Sequence, residues 1–197
     1  KPNDLAYTSI ALAPHTDNPY RKPIPCIQLL HCLQNEVKGG LSTLVDGFAV
    51  AEYLKKNHQD FFNILTKTKV RFRFVDKSII LENWGELIEL DEENKIKQVR
   101  YSTRLDYVPI LKKERIELFY KARKLISECY ASKQFEIKFK LEEGDLLMMD
   151  NHRLLHGRTS YDPNEGKRYL KGCYIDHDST EGKLRHLERK FKKNGKS

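Results

Sequence analysis

The sequence predicts a mainly-β domain, a sandwich or jelly roll, with one or two helices covering the sheets. Short apolar runs recur along the chain and are separated by glycine, proline, asparagine and aspartate turn signals. One long stretch, residues 112–131, carries a clear helical stripe. No apolar run in the 197 residues approaches the roughly 20 that a membrane helix requires.

The first third of the chain is predicted to pass from strands to two short helices. The pattern predicts strands at 5–13, 24–33 and 42–45, and helices at 46–56 and 60–66. The run from Pro25 to Leu33 is apolar on both faces, as expected of a strand buried on both sides. Asp46 has the side chain and the position of an N-cap for the first helix.

The remainder is predicted to be strands around one long helix. Strands are predicted at 70–75, 87–90, 96–101, 135–141, 145–149 and 168–175, and the helix at 112–131. The segment from Val70 to Val75 alternates apolar and basic residues, which is typical of a half-exposed strand. The polar run 91–94 predicts the turn of a hairpin.

Most of the positive charge lies at the end of the chain. The net charge is +8, and residues 183–197 carry +6 of it, which leaves +2 for the other 182 residues. We interpret this segment as a solvated basic tail, since no nucleic-acid recognition motif accompanies it. The four cysteines form no CxxC pair, which predicts a reduced, cytoplasmic location.

Two histidines and one carboxylate can hold Fe(II) while leaving coordination positions open. A strand can supply two of these ligands as His-x-Asp, because residues i and i+2 share a face. Composition predicts about one His-x-acid triplet by chance. Three occur, beginning at His15, His58 and His186.

Local structure separates the three triplets. His186 and Glu188 fall in a predicted helix, where residues two apart face away from each other. The triplet at 58–60 stands at a helix start, where its aspartate is more simply a cap. His15 and Asp17 follow an extended apolar segment, so they form the best candidate pair, although a turn with a bystander histidine is also consistent.

Two later residues complete a candidate site. His156 follows an apolar run, and Gly157 after it would permit close backbone approach, although a structural histidine would look the same. Arg168 opens a predicted strand, where its guanidinium could bind a carboxylate of a dicarboxylate co-substrate through two hydrogen bonds.

With these residues in place, the chain resembles the taurine dioxygenase superfamily of Fe(II)/2-oxoglutarate oxygenases, and most of all its γ-butyrobetaine hydroxylase branch. The resemblance runs in order from Leu5 to about Asp178. The matching segments are Ala6-Tyr-Thr8, Pro14-His-Thr-Asp17, Gln28-Leu-Leu-His-Cys32, Gly39-Gly40, Val45-Asp-Gly-Phe48, Leu154-Leu-His-Gly-Arg158 and Arg168-Tyr-Leu-Lys-Gly-Cys-Tyr174.

The resemblance implies a double-stranded β-helix and assigns roles to individual residues. His15, Asp17 and His156 would be the metal ligands and catalytic centre. Arg168 would bind the distal carboxylate of 2-oxoglutarate, with Ser42 as a weaker candidate for the same ligand. It also places His31 in a family motif, where we expect a core residue.

The resemblance also implies substrate contacts. Tyr7 and Tyr174 match two positions of an aromatic cage for a trimethylammonium group, although packed tyrosines would look the same. Asp4 stands where the hydroxylase has an asparagine, and an ionised aspartate there would repel an anionic substrate end. Arg104 could receive that end instead, unless it is a solvated surface residue.

The implied activity is hydroxylation of a small trimethylammonium compound with Fe(II), 2-oxoglutarate and O2, foremost γ-butyrobetaine to carnitine. Trimethyllysine, a trimethylammonium phosphonate or another small sulfonate or phosphonate stay open as substrates. A non-catalytic jelly-roll binding module is the alternative from a different class. We expect residues 1–197 to form one catalytic domain that lacks an upstream region. The family also suggests a homodimer.

Overall fold

The computed structural model describes residues 8–194, and its side chains through residue 192. The elements, in chain order, are β1 (Leu12–His15), β2 (Ile27–Asn35), β3 (Ser42–Asp46), α1 (Gly47–Asn57), α2 (Gln59–Lys67), β4 (Lys69–Val75), β5 (Ile80–Glu86), β6 (Ile88–Leu90), β7 (Ile96–Val99), β8 (Asp106–Tyr107), α3 (Lys113–Tyr130), β9 (Glu136–Phe139), β10 (Leu146–Asp150), β11 (Leu154–Arg158), β12 (Arg168–Ile175) and α4 (His177–Asn194).

Two antiparallel sheets build the jelly roll, as the sequence predicts. The first sheet has the strand order β1-β11-β3-β9, and the second has the order β10-β2-β12. In the first sheet, β11 pairs with β1 on one side and with β3 on the other. Residues that are far apart in the chain therefore become neighbours across β11.

Helices and a smaller sheet pack together at one side of the jelly roll. β4 pairs with β5 and with β8, and α2 lies against α3. Phe72 of β4, Phe119 of α3 and Leu65 of α2 are completely buried in one core cluster. Burying a Phe or Leu side chain contributes about 1.5–3 kcal/mol, so this core supports the sheets that carry the site.

The helix start predicted at Asp46 is confirmed. Asp46 Oδ1 accepts hydrogen bonds from the backbone N–H groups of Phe48 and Ala49, at 3.0 and 3.3 Å. The predicted hairpin is also confirmed, as β6 and β7.

The predicted strand 5–13 is only partly correct. Within the described residues, Ser9 and Ile10 form a bend, and β1 begins at Leu12. Arg158 of β11 donates Nη2 hydrogen bonds to the carbonyls of Thr8 and Ile10, at 2.5 and 2.8 Å. Before β1, hydrogen bonds from the Arg158 side chain thus replace the backbone hydrogen bonds of a sheet. An apolar sequence pattern cannot show this.

Other differences concern exposure and missed strands. The sequence pattern did not predict β5, β8 or β11, and His156 lies inside β11 rather than after a strand. The side chain of Tyr120, in the predicted apolar stripe of α3, is 52% exposed. His31 is exposed on β2, so the expectation of a core histidine is wrong.

The basic end of the chain forms α4, an exposed helix. Its side chains through residue 192 lie at the surface, including Leu184 and Phe191. Within the described part of the chain, no helix has both the length and the apolar character needed to cross a membrane.

Candidate metal centre

Pairing between β1 and β11 brings the first two candidate ligands together. His15 and His156 stand opposite each other in the antiparallel register, and their ring centroids lie 4.5 Å apart. Asp17 follows β1 and turns its carboxylate toward both rings. Its Oδ1 lies 3.3 Å from His15 Nε2, and its Oδ2 lies 3.7 Å from His156 Nε2.

These three side chains form one compact group of ligand atoms. One ligand atom from each of them lies within 4.8 Å of the other two. Two ligands about 2.1 Å from one ion, at right angles to each other, lie about 3 Å apart. The separations of 3.3 Å between His15 Nε2 and Asp17 Oδ1, and of 3.7 Å between His156 Nε2 and Asp17 Oδ2, are only slightly longer than this.

Gly157 permits the close approach of β1 to β11. A Cβ atom added at this position would lie 2.5 Å from the carbonyl oxygen of Leu12 and 2.7 Å from Thr43 Oγ1. The backbone oxygen belongs to β1 itself, so a side chain here would force β1 away. The sequence-based expectation for Gly157 is confirmed by this contact.

The two histidine rings are held differently. His15 Nδ1 lies 2.8 Å from the carbonyl oxygen of Ala13, which directs Nε2 toward Asp17. His156 Nδ1 is buried and has no hydrogen-bond partner among the described residues. Two imidazoles and one carboxylate are a donor set that suits iron(II).

Electrostatics favour the protonation states that a metal requires. Burial raises the pKa of Asp17, but the hydrogen bond with His15 and the charges of His156 and His15 outweigh it, so the pKa lies well below its usual value. Burial, followed by the charge of His15, lowers the pKa of His156 to about 4. At neutral pH the group therefore contains a carboxylate and a neutral imidazole at position 156.

Neighbouring side chains fix the carboxylate of Asp17. Gln28 Nε2 and the Tyr174 hydroxyl donate to Asp17 Oδ2, at 2.7 and 2.6 Å. Asn151 Oδ1 accepts a hydrogen bond from the backbone N–H of Asp17 at 2.7 Å. Neither Gln28 nor Asn151 is predicted from the sequence to have a role at the site. Gln28 begins a family-matching segment, which was the available signal, while Asn151 offered none.

Arg168 is a partly buried cation at the start of β12. Its Nη2 donates to the carbonyl of Gly40 at 3.3 Å, and its guanidinium carbon lies 5.5 Å from the ring centre of Tyr161. Its Nε is buried without a partner, and the ion pairs within residues 8–194 include none to Arg168. Burial and the nearby charge of Arg158 lower its pKa. Such a guanidinium can bind an anionic ligand.

Ser42 lies on β3 and is buried, opposite Arg158 in the β3–β11 ladder. Gly40, two residues earlier, is the residue of this segment that contacts Arg168. A Cβ at Gly40 would lie 2.8 Å from Arg168 Nε, and the backbone has a positive φ of 66° there. The predicted glycine pair therefore makes room for the arginine side chain.

A cavity of about 660 Å³ is lined by Tyr174, whose hydroxyl donates to Asp17, and by Asn18, while the three candidate metal ligands are not among its lining residues. Tyr20, Glu82 and Asp176 also line it, as do Arg21 and Lys22. Arg104 is exposed and is not among the lining residues. Asp4 and Tyr7 lie outside the described residues, so their predicted substrate contacts stay predictions.

Comparison with known proteins agrees with this geometry. A family model described as "Taurine catabolism dioxygenase TauD, TfdA family" matches residues 1–174. The chain is 37% identical over 195 residues to the γ-butyrobetaine dioxygenase of Homo sapiens, covering 95% of this chain and 50% of that protein. It is 34% identical over 190 residues to the trimethyllysine dioxygenase of Meyerozyma guilliermondii, covering 94% of this chain and 47% of that protein.

Solved structures show the same fold at lower sequence identity. An asparagine oxygenase complex with Fe(II), 3-hydroxyasparagine and succinate matches with a TM-score of 0.68 and 17% identity, over 85% of this chain and 50% of that chain. The non-haem iron oxygenase OrfP with Fe and α-ketoglutaric acid matches with a TM-score of 0.63 and 18% identity, over 86% and 50%. The chain thus spans about half the length of the relatives that it matches.

Proposed function

The chain belongs to the TauD/TfdA family of taurine catabolism dioxygenases, and from this premise we propose that it is the catalytic part of an Fe(II)- and 2-oxoglutarate-dependent dioxygenase. Its substrate is a small trimethylammonium compound, foremost γ-butyrobetaine. The observation that carries the proposal is the group formed by His15, Asp17 and His156. The γ-butyrobetaine and trimethyllysine dioxygenases among the relatives support the substrate class.

The proposed roles follow from the positions of the side chains. His15, Asp17 and His156 would hold Fe(II) on one side, leaving positions open for 2-oxoglutarate and O2. Arg168, with its guanidinium near Gly40, would bind the distal carboxylate of 2-oxoglutarate, and Ser42 is the weaker candidate for that contact. When bound, iron with 2-oxoglutarate and O2 supplies the oxidation that hydroxylates a C–H bond.

The cavity lined by Tyr174 supports a zwitterionic substrate. The rings of Tyr174 and Tyr20 and the carboxylates of Glu82 and Asp176 suit a trimethylammonium group, because aromatic faces and anions both attract a cation. Arg21 and Lys22 line the same cavity, and their positive charges would attract the carboxylate end of the substrate. The sequence predicts Arg104 as a further candidate for binding the anionic end of the substrate. Trimethyllysine remains the second candidate substrate.

Substrate-dependent release of succinate tests the proposal. We expect the natural full-length protein, supplied with Fe(II), O2 and 2-oxoglutarate, to form succinate faster when γ-butyrobetaine is added. His156→Ala should abolish the stimulation by removing one of three ligands, while His31→Ala, which changes an exposed histidine of β2, should retain it. Basal turnover that γ-butyrobetaine and trimethyllysine both fail to stimulate would contradict the substrate class. Absence of iron binding by the folded protein would favour a non-catalytic binding module.

A homodimer, a cytoplasmic location and an upstream region that completes the domain are part of the same proposal. Light scattering of the full-length protein would measure its mass in solution.

Nucleic acid is not an expected partner. Salt-sensitive binding of nucleic acid that required residues 183–197 would contradict that expectation.

A further inference from the structure

One oxygen of the Asp17 carboxylate receives two hydrogen bonds from the second sheet. Gln28 Nε2 and the Tyr174 hydroxyl both donate to Oδ2, at 2.7 and 2.6 Å. Gln28 lies on β2 and Tyr174 on β12, and the two residues stand opposite each other in the ladder. Two adjacent side chains of one sheet therefore converge on a single carboxylate oxygen.

The other oxygen of Asp17, Oδ1, faces His15, whereas Oδ2 is the oxygen that lies 3.7 Å from His156 Nε2. Oδ1 lies 3.3 Å from His15 Nε2, the nitrogen that Ala13 leaves directed at the site. A carboxylate offers about two lone-pair positions on each oxygen. Because two donors occupy Oδ2, the lone pairs of Oδ1 are the ones left for a metal.

The orientation of the Gln28 amide is fixed by the charge of Asp17. Gln28 is 4% exposed, and its Oε1 is buried without a hydrogen-bond partner among the described residues. The reverse orientation would place Oε1 against an ionised carboxylate, which is repulsive. An unsatisfied buried carbonyl oxygen is unfavourable, and here it accompanies donation of Nε2 to Asp17.

Asn151 holds the backbone of Asp17 from the same sheet. Its Oδ1 accepts from the Asp17 N–H at 2.7 Å, and its Nδ2 donates to the carbonyls of Asp17 and Pro25, at 3.0 and 2.9 Å. Asn151 is completely buried, directly after β10. Backbone and side chain of Asp17 are thus both held by residues of, or next to, the second sheet.

We propose that Gln28, together with Tyr174, is a positioning residue that makes Asp17 a one-oxygen ligand, with Oδ1 directed at the metal and Oδ2 retained by the protein. This inference rests on the proposed function and specifies how its metal site is kept open. A carboxylate that bound through both oxygens would occupy an additional coordination position. One-oxygen binding leaves room for a chelating 2-oxo acid and for O2.

Metal affinity measured without substrate tests the role of Gln28. Anaerobic titration calorimetry with Fe(II), and with Mn(II) as a redox-stable probe, compares Gln28→Met with the full-length protein. Gln28→Met keeps the length of the side chain and removes its donor. We expect about 10–100-fold weaker binding, the usual effect of losing a residue that orients a ligand. Gln34→Met, the same change farther along β2, is the matched control and should bind metal normally.

The visible charge-transfer band of the anaerobic Fe(II)·2-oxoglutarate complex gives a readout that general destabilisation would not move. Release of Oδ2 changes the donation of Asp17 to iron, so the band of Gln28→Met should shift in position. Tyr174→Phe removes the second donor from a side chain that is 44% exposed, and it should shift the band in the same direction. This second variant decides the question if Gln28→Met does not fold.

The outcomes separate the inference from the proposed function. If the full-length protein binds neither Fe(II) nor Mn(II), the proposed function fails, and the inference fails with it. If the protein binds metal and 2-oxoglutarate normally, but Tyr174→Phe and any folded Gln28→Met protein show unchanged affinity and an unchanged band, the positioning role alone is overturned.

Discussion

Arg168 combines burial, positive charge and a shortage of protein partners. A carbonyl and an aromatic ring are its neighbours, and both leave most of its hydrogen-bond donors available. A planar guanidinium binds a carboxylate through two parallel hydrogen bonds, whereas a lysine provides only a point charge. We therefore expect the arginine to contribute strongly to affinity for 2-oxoglutarate.

We expect Arg168→Ala to raise the apparent KM for 2-oxoglutarate at least about tenfold, because loss of a charge-assisted hydrogen bond costs about 1.5–3 kcal/mol. Arg168→Lys should recover part of that loss. Succinate formation at varied 2-oxoglutarate concentrations measures both effects. Arg153→Ala, which changes an exposed arginine paired with Asp46, is the control. An unchanged KM in Arg168→Ala would remove Arg168 from the proposed site.

Sequence alone located the candidate ligands but not the residues that hold them. His15 and Asp17 stand two apart, and the family resemblance of the segments that contain His156 and Arg168 completed the candidate set. Asn151 contacts Asp17 across 134 positions of the chain, and Gln28 does so from another sheet. No local signal encodes such contacts, because they arise only when the two sheets come together.

At the scale of elements, the missed strand β11 depends on its neighbours in the sheet. β11 is five residues long and contains a histidine, a glycine and an arginine, so its apolar alternation is weak. Its strand conformation comes from partners on both sides, β1 and β3. Tertiary pairing thus overrides weak local preference, whereas α3 and the hairpin of β6 and β7 were predicted because their patterns are local.

We expect Gly157→Ala to destabilise the protein by about 1–3 kcal/mol, as overpacking commonly does, and to weaken metal binding. The added methyl group would meet the backbone oxygen of Leu12 and displace β1, which carries His15. Urea unfolding and metal titration measure the two effects. Gly172→Ala is the matched control on β12, since its nearest contact is a leucine side chain at 3.3 Å. Normal metal affinity in Gly157→Ala would contradict the packing argument.

At the scale of the whole molecule, buried neutral histidine should make stability depend on pH. Burial, then the charge of His15, lowers the pKa of His156 from 6.5 to about 4 in the folded chain. The unfolded chain therefore binds more protons between these values, and stability rises with pH there. The contribution of His156 is complete above about pH 6.5 and is lost as the pH falls toward 4.

The metal-free protein should thus lose stability between pH 6.5 and 4, on the order of 3 kcal/mol from His156. His152, whose pKa burial also lowers, acts in the same direction. Urea unfolding at several pH values gives the slope. His156→Gln should reduce it, whereas His31→Gln should not. The same slope in His156→Gln would show that another group is responsible.

The position of β11 also has a consequence for biosynthesis. β11 is the eleventh described strand in chain order, yet it is the strand that joins β1 to β3 in the first sheet. Until residues 154–158 emerge from the ribosome, β1 has no partner strand on its β11 side. His15 and Asp17 are then outside the ribosome while His156 is not. The proposed metal site therefore cannot form before β11 emerges, and we expect a ribosome-stalled chain that ends before β11 to bind no iron.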